Sequence, residues 1–525
     1  MSMIEEVMMK NHKIIVVFIF LLCLSGMAGA VNNGGEVKLG YVFIDEEGNQ
    51  SVNQPTFNYY PGFLLSLEKF HYNFTNGMRV RADLKNLTLN NRNLSLGLGK
   101  AGLFGIDISN NQYRRVYDFD GNSFTRRRQT GGSLWFFPHR YLKLFGGGSF
   151  SNLAGSITDL FNPDGPGAVK NMDYGLKTYH AGMRFNFRGK MLQAEYRTSE
   201  YTDNKNADRG QKRSNIKLDA LLPVPKYEWI VLTGGFRHFE TKYSTTEFKI
   251  SSNRAWGGAT AALSRNFSAN YNLIFDRTGS DSDIIATDNL AHTIYLTGIS
   301  PGHAGLTVGY QNDINDDFAD EVRANSYYAS GWFTPNSHFE FRGEFGTRAE
   351  KVEDGWRLVG NEDRNRLKIS GKYFYAAHGS LSLKYENKQR DNDQLGTSAD
   401  FNRFAADATL KLTKYGEFSG GYSYSTGDYK DLEQEFEFND HVLYGDITLR
   451  EYHRLRAGFG ATYYRSKRDI DVESFMLHFM ASLRFAENHH LEVVYNVHNF
   501  DDFLVTDRYY TANIVEINLI KELSF

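Results

Sequence analysis

The chain has 525 residues with 15% aromatic side chains, 49 glycines, 9 prolines, one cysteine and a formal net charge of −3. Near-neutral charge excludes the basic stripe of a nucleic-acid-binding protein. A single cysteine excludes a disulfide framework and a cysteine-ligated metal, and no C-x-x-C-H run is present to attach c-type haem.

The N-terminus carries an export signal. Met9-Lys10-Asn11-His12-Lys13 is a basic n-region ahead of the apolar run Ile14 to Leu24, which is shorter than the roughly 20 residues a membrane-spanning helix needs. Ser25 to Ala30 then offers a small-x-small cleavage pattern, with Ala28 and Ala30 at the recognised positions. Residues 1–30 are therefore expected to be a cleaved signal peptide, with Met8 or Met9 as alternative starts because Glu5 and Glu6 are out of place in an n-region. Cys23 lies inside the discarded run, so the mature chain has no thiol.

Residues 31–525 read as strands. Side chains of a strand alternate between two faces, and Phe475 to Phe485 places Phe475, Leu477, Phe479, Ala481, Leu483 and Phe485 on one face, with Met476, His478, Met480, Ser482 and Arg484 on the other. Phe404 to Leu412 and Leu491 to His498 divide in the same way. A soluble sandwich would also alternate, but it is usually complete within about 100–250 residues, and this pattern continues to the last residue.

In chain order, strand-like segments fall near Gly35–Asp45, Tyr59–Tyr72, Met78–Leu89, Leu94–Gly99, Leu103–Ile108, Phe124–Phe137, Tyr141–Phe150 and Met172–Phe187. From Gly189-Lys190 onward, tight turns recur roughly every 34 to 43 residues, at Pro225, Asn266, Pro301, Pro335, His378, Lys414, Tyr452 and Asn488. Each interval holds one hairpin and a longer polar loop. The expected loops are Phe161–Met172, Tyr201–Gln211, Asp313–Glu321, Asp391–Asp400 and Asp501–Arg508. The expected fold class is all-β, a large transmembrane up-and-down antiparallel β-barrel of about 26 strands, in a range of about 22–26.

The chain ends with Ile517, Leu519, Leu523 and a terminal Phe525 on one face. This resembles the assembly signal that the barrel-assembly machinery of the bacterial outer membrane reads. It places the C-terminus in the periplasm, the tight turns on that side, and the longer loops outside, among lipid and lipopolysaccharide.

A barrel of about 26 strands encloses a lumen on the order of 50 Å across, too wide to leave open. Strands begin just after the expected cleavage site, so the sequence predicts no plug domain, and none of the outer loops is expected to fold in and seal the lumen. A separate protein is then the expected occupant. With strand phrases such as Met183-Arg184-Phe185-Asn186-Phe187 and Leu192-Gln193-Ala194-Glu195-Tyr196-Arg197, this architecture resembles the MtrB/PioB family of outer-membrane barrels. The resemblance implies a sheath that houses and positions a periplasmic multihaem c-type cytochrome as a transmembrane electron conduit, with an outer-surface cytochrome as a further partner. It also implies that haem belongs to the partner and that the barrel has no cofactor of its own. The alternative is a wide porin or export channel for sugars, polymers or hydrophobic solutes. Neither is an enzyme.

Other motifs carry less. Gly97-Leu98-Gly99-Lys100-Ala101-Gly102 matches a dinucleotide fingerprint but leads into a strand-like segment instead of a helix. Asp391-Asn392-Asp393 starts like a calcium loop, but Leu395 and Asn402 stand at ligand positions. His303, His338, His378, His453 and His489 recur at the tight turns and are candidates for a periplasmic rim that meets a partner. Arg114-Arg115 and Arg126-Arg127-Arg128 are the densest basic stretches; a lipid-facing arginine near the midplane costs roughly 2–4 kcal/mol, so they are expected in or beside an outer loop, as solvated charge or as a site for lipopolysaccharide phosphate.

Overall fold

The computed structural model describes residues 33–525 except 53, 160–167, 247, 282–285, 318–319, 355–360, 376–377, 413–415, 432–433 and 525. Twenty-six strands form one sheet. The first group is β1 (Gly34–Gly48), β2 (Gly62–Asn73), β3 (Met78–Lys85), β4 (Asn93–Lys100), β5 (Phe104–Val116), β6 (Phe124–His139), β7 (Leu142–Asp159) and β8 (Ala168–Phe187). The chain continues through β9 (Lys190–Asp203), β10 (Gln211–Val224), β11 (Tyr227–Tyr243), β12 (Lys249–Ala262), β13 (Phe267–Ser280), β14 (Ala286–Ser300), β15 (Ala304–Asp317), β16 (Asp320–Asn336) and β17 (Phe339–Asp354). It finishes with β18 (Asp363–Tyr375), β19 (Gly379–Asn392), β20 (Thr397–Lys411), β21 (Gly416–Asp431), β22 (Gln434–Tyr452), β23 (Leu455–Arg468), β24 (Val472–Ala486), β25 (His489–Asp502) and β26 (Tyr510–Ser524).

Each strand pairs antiparallel with its sequence neighbours, and β1 pairs with β26 from Gly34↔Ser524 to Gly48↔Tyr510. The sheet is thus a closed up-and-down barrel. Both ends of the wall, Gly34 and Ser524, lie at one rim together with the tight turns. Several strands outrun the sequence expectation: β15 and β16 extend through most of the acidic Asp313–Glu321 stretch, and β19 and β20 leave only residues 393–396 between them. Charged side chains do not stop a ladder whose backbone donors and acceptors are all paired, provided those side chains reach water.

The two faces divide as alternation requires. On β13 and β14 the exposed Phe267, Tyr271, Phe275, Ile294 and Leu296 share one face, with Ile274 and Ile299 as apolar exceptions on the other, and the register places Tyr271 opposite Ile294 and Phe275 opposite Leu290. The opposite face carries Asn270, Asn272, Thr293 and Thr297. Apolar side chains outward in lipid and polar ones inward toward water is the arrangement that a membrane allows.

The apolar band has a marked upper edge. On the outer face, tyrosine hydroxyls reach a polar side chain of the next strand: Tyr271 to His292 at 2.8 Å, Tyr310 to Asn325 at 2.7 Å, Tyr385 to Asn402 at 3.0 Å, Tyr422 to His441 at 2.8 Å and Tyr495 to Asn513 at 2.8 Å. A ring in hydrocarbon with its hydroxyl in the polar layer is the arrangement tyrosine favours at an interface. Phe339 against Tyr373, with ring centroids 5.0 Å apart, belongs to the lower edge near the tight turns.

The early strands depart from this regularity. A bulge at Lys69, whose φ of 52° is left-handed, shifts the β2–β3 register between Leu67 and Phe70. The extra residue returns Phe70 to the face of Leu67, where both are buried against Ala82. β3 and β4 are short, and residues 49–52 and 54–61, which include a 3-10 turn at Gln54–Thr56, occupy the space beyond them. The sequence reading assigned Tyr59 to a strand. Instead, Tyr59 and Tyr60 pack with Leu89 over Val42, Leu64 and Ile514, residues of the inward face. This segment folds against the inner wall because its aromatic side chains find an apolar patch there.

Candidate functional site

The inner face is not evenly polar. On β18 the inward positions are Arg364, Arg366, Lys368, Ser370 and Lys372, and β17 and β19 place further charges beside them. The register sets Arg348 opposite Arg364 and Arg364 opposite Arg390, with Arg366 opposite Lys388 in the next row. Like charges directly opposite one another destabilise a sheet. Carboxylates offset part of this: Arg348 pairs with Glu350 at 2.7 Å and with Asp313, Arg366 with Glu386 at 2.9 Å, and Lys384 with Asp407 at 2.7 Å. Glu362, buried just outside β18, takes both Arg364 and Arg390. Burial alone would raise its carboxyl, but hydrogen bonds and charge from Arg364 and Arg390 hold it below the usual carboxylate range. Lys368 and Lys372 form no ion pair among the described residues. From Arg364 to Lys372 the ladder runs roughly 26 Å along the strand.

A second cluster of opposite sign lies on β25, β26, β1 and β2. Glu36 stands opposite both Glu522 and Glu68. One row further in, Lys38 reaches Glu492 at 3.5 Å and Glu68 at 3.8 Å. Buried Asn518 donates to Glu516 at 2.6 Å and to Glu492 at 3.3 Å. The two clusters are separated by roughly a third of the circumference, so a chord on the order of 40 Å joins them across the lumen.

The residues singled out in the sequence are placed as follows. His303, His338, His378, His453 and His489 all come to the rim that carries Gly34 and Ser524, each on its own turn or strand end. His338 Nδ1 lies 3.0 Å from Phe374 O, and the His453 ring lies 4.2 Å from that of Tyr452. Among the described residues no group of histidines and carboxylates could hold a metal ion. Ile517, Leu519 and Leu523 lie on the outward face of β26, opposite Tyr41, Leu39 and Gly35 of β1 at the closing seam. Phe525, Ala28 and Ala30 lie outside the described residues.

Gly97 to Lys100 end β4 and a turn leads into β5, so the glycine motif sits between two strands with no helix to hold a pyrophosphate. Asn392 Oδ1 accepts from the backbone of Gln394 and Leu395, each at 3.1 Å, which makes the calcium-like stretch a capped turn. Arg114, Arg126 and Arg128 are in strands, not in a loop, with Arg114 opposite Arg126. The lumen ladder was missed in the sequence reading, although cations at every second position from Arg364 to Lys368 were a readable signal.

No family model matches the chain. No curated protein matches it either. Solved structures do. The siderophore receptor PirA from Pseudomonas aeruginosa aligns over 95% of this chain and 81% of its own, with a TM-score of 0.50 and 10% sequence identity. A variant of the ferric enterobactin receptor PfeA from Pseudomonas aeruginosa aligns over 94% of this chain and 81% of its own, with a TM-score of 0.51 and 10% identity. The chain has the fold of an outer-membrane β-barrel. At such identity the likeness is one of fold, and both relatives are receptors, not enzymes.

This likeness corrects one expectation. The sequence predicted a barrel with no plug domain, but the receptors that share the fold have plugs, as outer-membrane transporters of comparable width do. The physical reason is that the start of β1 fixes only where the wall begins. A wide lumen has to be filled in any case, and strand alternation carries no information about what fills it.

Proposed function

We propose that this barrel is a sheath whose lumen houses and positions a periplasmic multihaem c-type cytochrome, so that electrons cross the outer membrane along the partner's haems. The observation that carries the reading is the pair of charged walls. The arginine and lysine ladder on β17–β19 and the glutamate row on β26–β1–β2 keep like charges opposite one another at a cost in stability. Such a cost is offset when a ligand supplies the complementary charge. The separation of the two walls is too great for a small solute to bridge, and suits a folded protein with patches of both signs. In this reading the barrel insulates and aligns, has no haem of its own and is not an enzyme. The rim with both termini faces the periplasm, where the five turn histidines would meet the incoming partner, and the opposite mouth would meet an outer-surface cytochrome.

Purification in mild detergent from the native host, followed by haem staining and visible absorption, tests this. A haem protein is expected to accompany the barrel. A barrel that arrives alone and conducts ions in a planar bilayer would overturn the reading.

A wide porin or export channel for sugars, polymers or hydrophobic solutes is a second reading, favoured by a run of amide and hydroxyl side chains on the part of the inner face of β12–β15 nearer the tight turns. There Asn270 donates to Thr260 at 2.6 Å and Thr297 meets Thr307 at 3.0 Å, a surface suited to hydroxyl-rich solutes. Solute-dependent block of the conductance would support it.

A further inference from the structure

The arginines of β6 and of the β3–β4 connection make a second charged feature, on the outer face of the barrel. The exposed Ile106, Ile108, Leu134 and Phe136 fix the lipid-facing parity of β5 and β6, and their register runs without a shift from Phe104↔Phe136 to Val116↔Phe124. Arg126 and Arg128 share that parity. They therefore project outward, not into the lumen. Phe150, whose ring lies 5.8 Å from that of Tyr179, is opposite Thr130 and marks the upper edge of the apolar band here. Arg128 and Arg126 are the next two outward positions of β6 beyond that edge, at headgroup level.

Arg92 completes the group from the β3–β4 connection. Its backbone oxygen accepts from Gln112 N at 3.1 Å, opposite Arg128. Burial, and then the charges of Arg128 and Arg126, lower its pKa from the usual guanidinium value. Arg114, opposite Arg126, is not part of the group: its side chain turns to the segment on the inner wall, where Nε donates to Phe57 O at 2.7 Å and the guanidinium lies 4.5 Å from the centre of the Tyr60 ring.

None of Arg92, Arg126 and Arg128 forms an ion pair with a carboxylate among the described residues. Arg126 Nε is buried with no hydrogen-bond partner. Three guanidinium groups gathered without a counter-charge, one with an unused buried donor, are a site lacking its anion. This sets the group apart from the lumen ladder, where carboxylates are built in.

We propose that Arg92, Arg126 and Arg128 form a binding site for the phosphate of a lipid headgroup, on the outside of the barrel just above the apolar band. Guanidinium forks match phosphate oxygens two at a time, and the acyl chains of the same molecule would lie along Ile106, Ile108 and Leu134. A free phosphate shares the headgroup chemistry but not the chains. That the lipid belongs to the outer leaflet rests on the orientation proposed above; the site itself does not.

The test is a titration of the purified full-length barrel in detergent with diphosphorylated lipid A, dephosphorylated lipid A and inorganic phosphate, for the native chain and for the double variant Arg126→Gln, Arg128→Gln. The expected result is that the native barrel prefers the phosphorylated lipid by about tenfold or more over the other two, and that the double variant loses this preference while its thermal unfolding is unchanged or raised, since it sheds like-charge repulsion. Equal retention of phosphorylated lipid by the double variant overturns the site. Inorganic phosphate that binds as tightly as the lipid overturns the lipid assignment. Because the measurement is made in micelles, a reversed orientation in the membrane would leave it unaffected and would be detected separately by labelling of the β5–β6 end in whole cells.

Discussion

Arg364 and Arg390 stand directly opposite one another on β18 and β19, and the Nε of each is bonded to the same buried carboxylate, Glu362. A single glutamate at the distal end of the wall thus holds together two strands whose facing cations would otherwise repel. Replacing it by glutamine is expected to cost about 1 kcal/mol at pH 7, because both arginines are more than half exposed and water screens the pairs. The effect should depend on pH with a definite sign. The native carboxyl titrates below its unfolded value, so its contribution is fully present above roughly pH 4.3 and is lost as pH falls through the depressed native value. Thermal unfolding of the native and Glu362→Gln barrels in detergent should differ at pH 7 and converge in strong acid; a constant difference across that range would contradict the assignment.

Lys368 and Lys372 are the cations of the ladder with no ion pair among the described residues; Glu386 and Glu340, which face them, are paired with Arg366 and Arg342, and Glu344 reaches water in the lumen. Replacing both by glutamine should leave the unfolding temperature within experimental error of the native barrel's. Recovery of a co-purifying partner should fall by about tenfold, and its release should require less salt. Undiminished recovery would show that the ladder does not hold the occupant.

The seam between β1 and β26 depends on Gly40. A Cβ there would run into Asn518 Oδ1 and lie 2.6 Å from Ile517 O, and the second contact is backbone, which cannot swing away. Gly40→Ala is expected to destabilise the closed barrel by roughly 1–3 kcal/mol. The loss should be visible as a smaller fraction of heat-resistant folded species on electrophoresis. Adding Asn518→Ala should restore only part of it, because the Ile517 carbonyl remains.

The division of faces can be tested at adjacent residues of β14. Ile294 is outward, opposite Tyr271, while Thr293 is inward, opposite Asn272. An arginine at Ile294 should cost roughly 2–4 kcal/mol if the site is near the bilayer midplane, and one at Thr293 should cost less than about 1 kcal/mol. Equal costs in equilibrium unfolding from lipid vesicles would mean that the faces have been assigned the wrong way round.

Replacing His303, His338, His378, His453 and His489 together by asparagine tests the rim. If these side chains meet a partner, its recovery should fall while the barrel folds normally, since all five sit at turns or strand ends.

Much of the wall was legible in the sequence, for a physical reason. A strand in a membrane must put apolar side chains on one face and keep every backbone group paired, so a period of two over segments such as Phe475 to Phe485 specifies both the strand and its lipid face. The strand count and the paired ends follow from counting hairpins. What alternation cannot supply is register. Arg348, Arg364 and Arg390 are separated in sequence by other residues and meet in one row only because β17, β18 and β19 pair at that offset. The same holds for Arg114 and Arg126, expected in or beside an outer loop and found opposite one another on paired strands next to the β5–β6 connection. The path of residues 49–52 and 54–61 onto the inner wall was also hidden, because it depends on Val42, Leu64 and Ile514, from three different strands, forming one apolar patch. The sequence alone determined that the chain builds a closed wall with one face for lipid and one for water, because that pattern is local. Only the tertiary structure decided which charges face each other on that wall, because those pairings are set by contacts between strands and not within them.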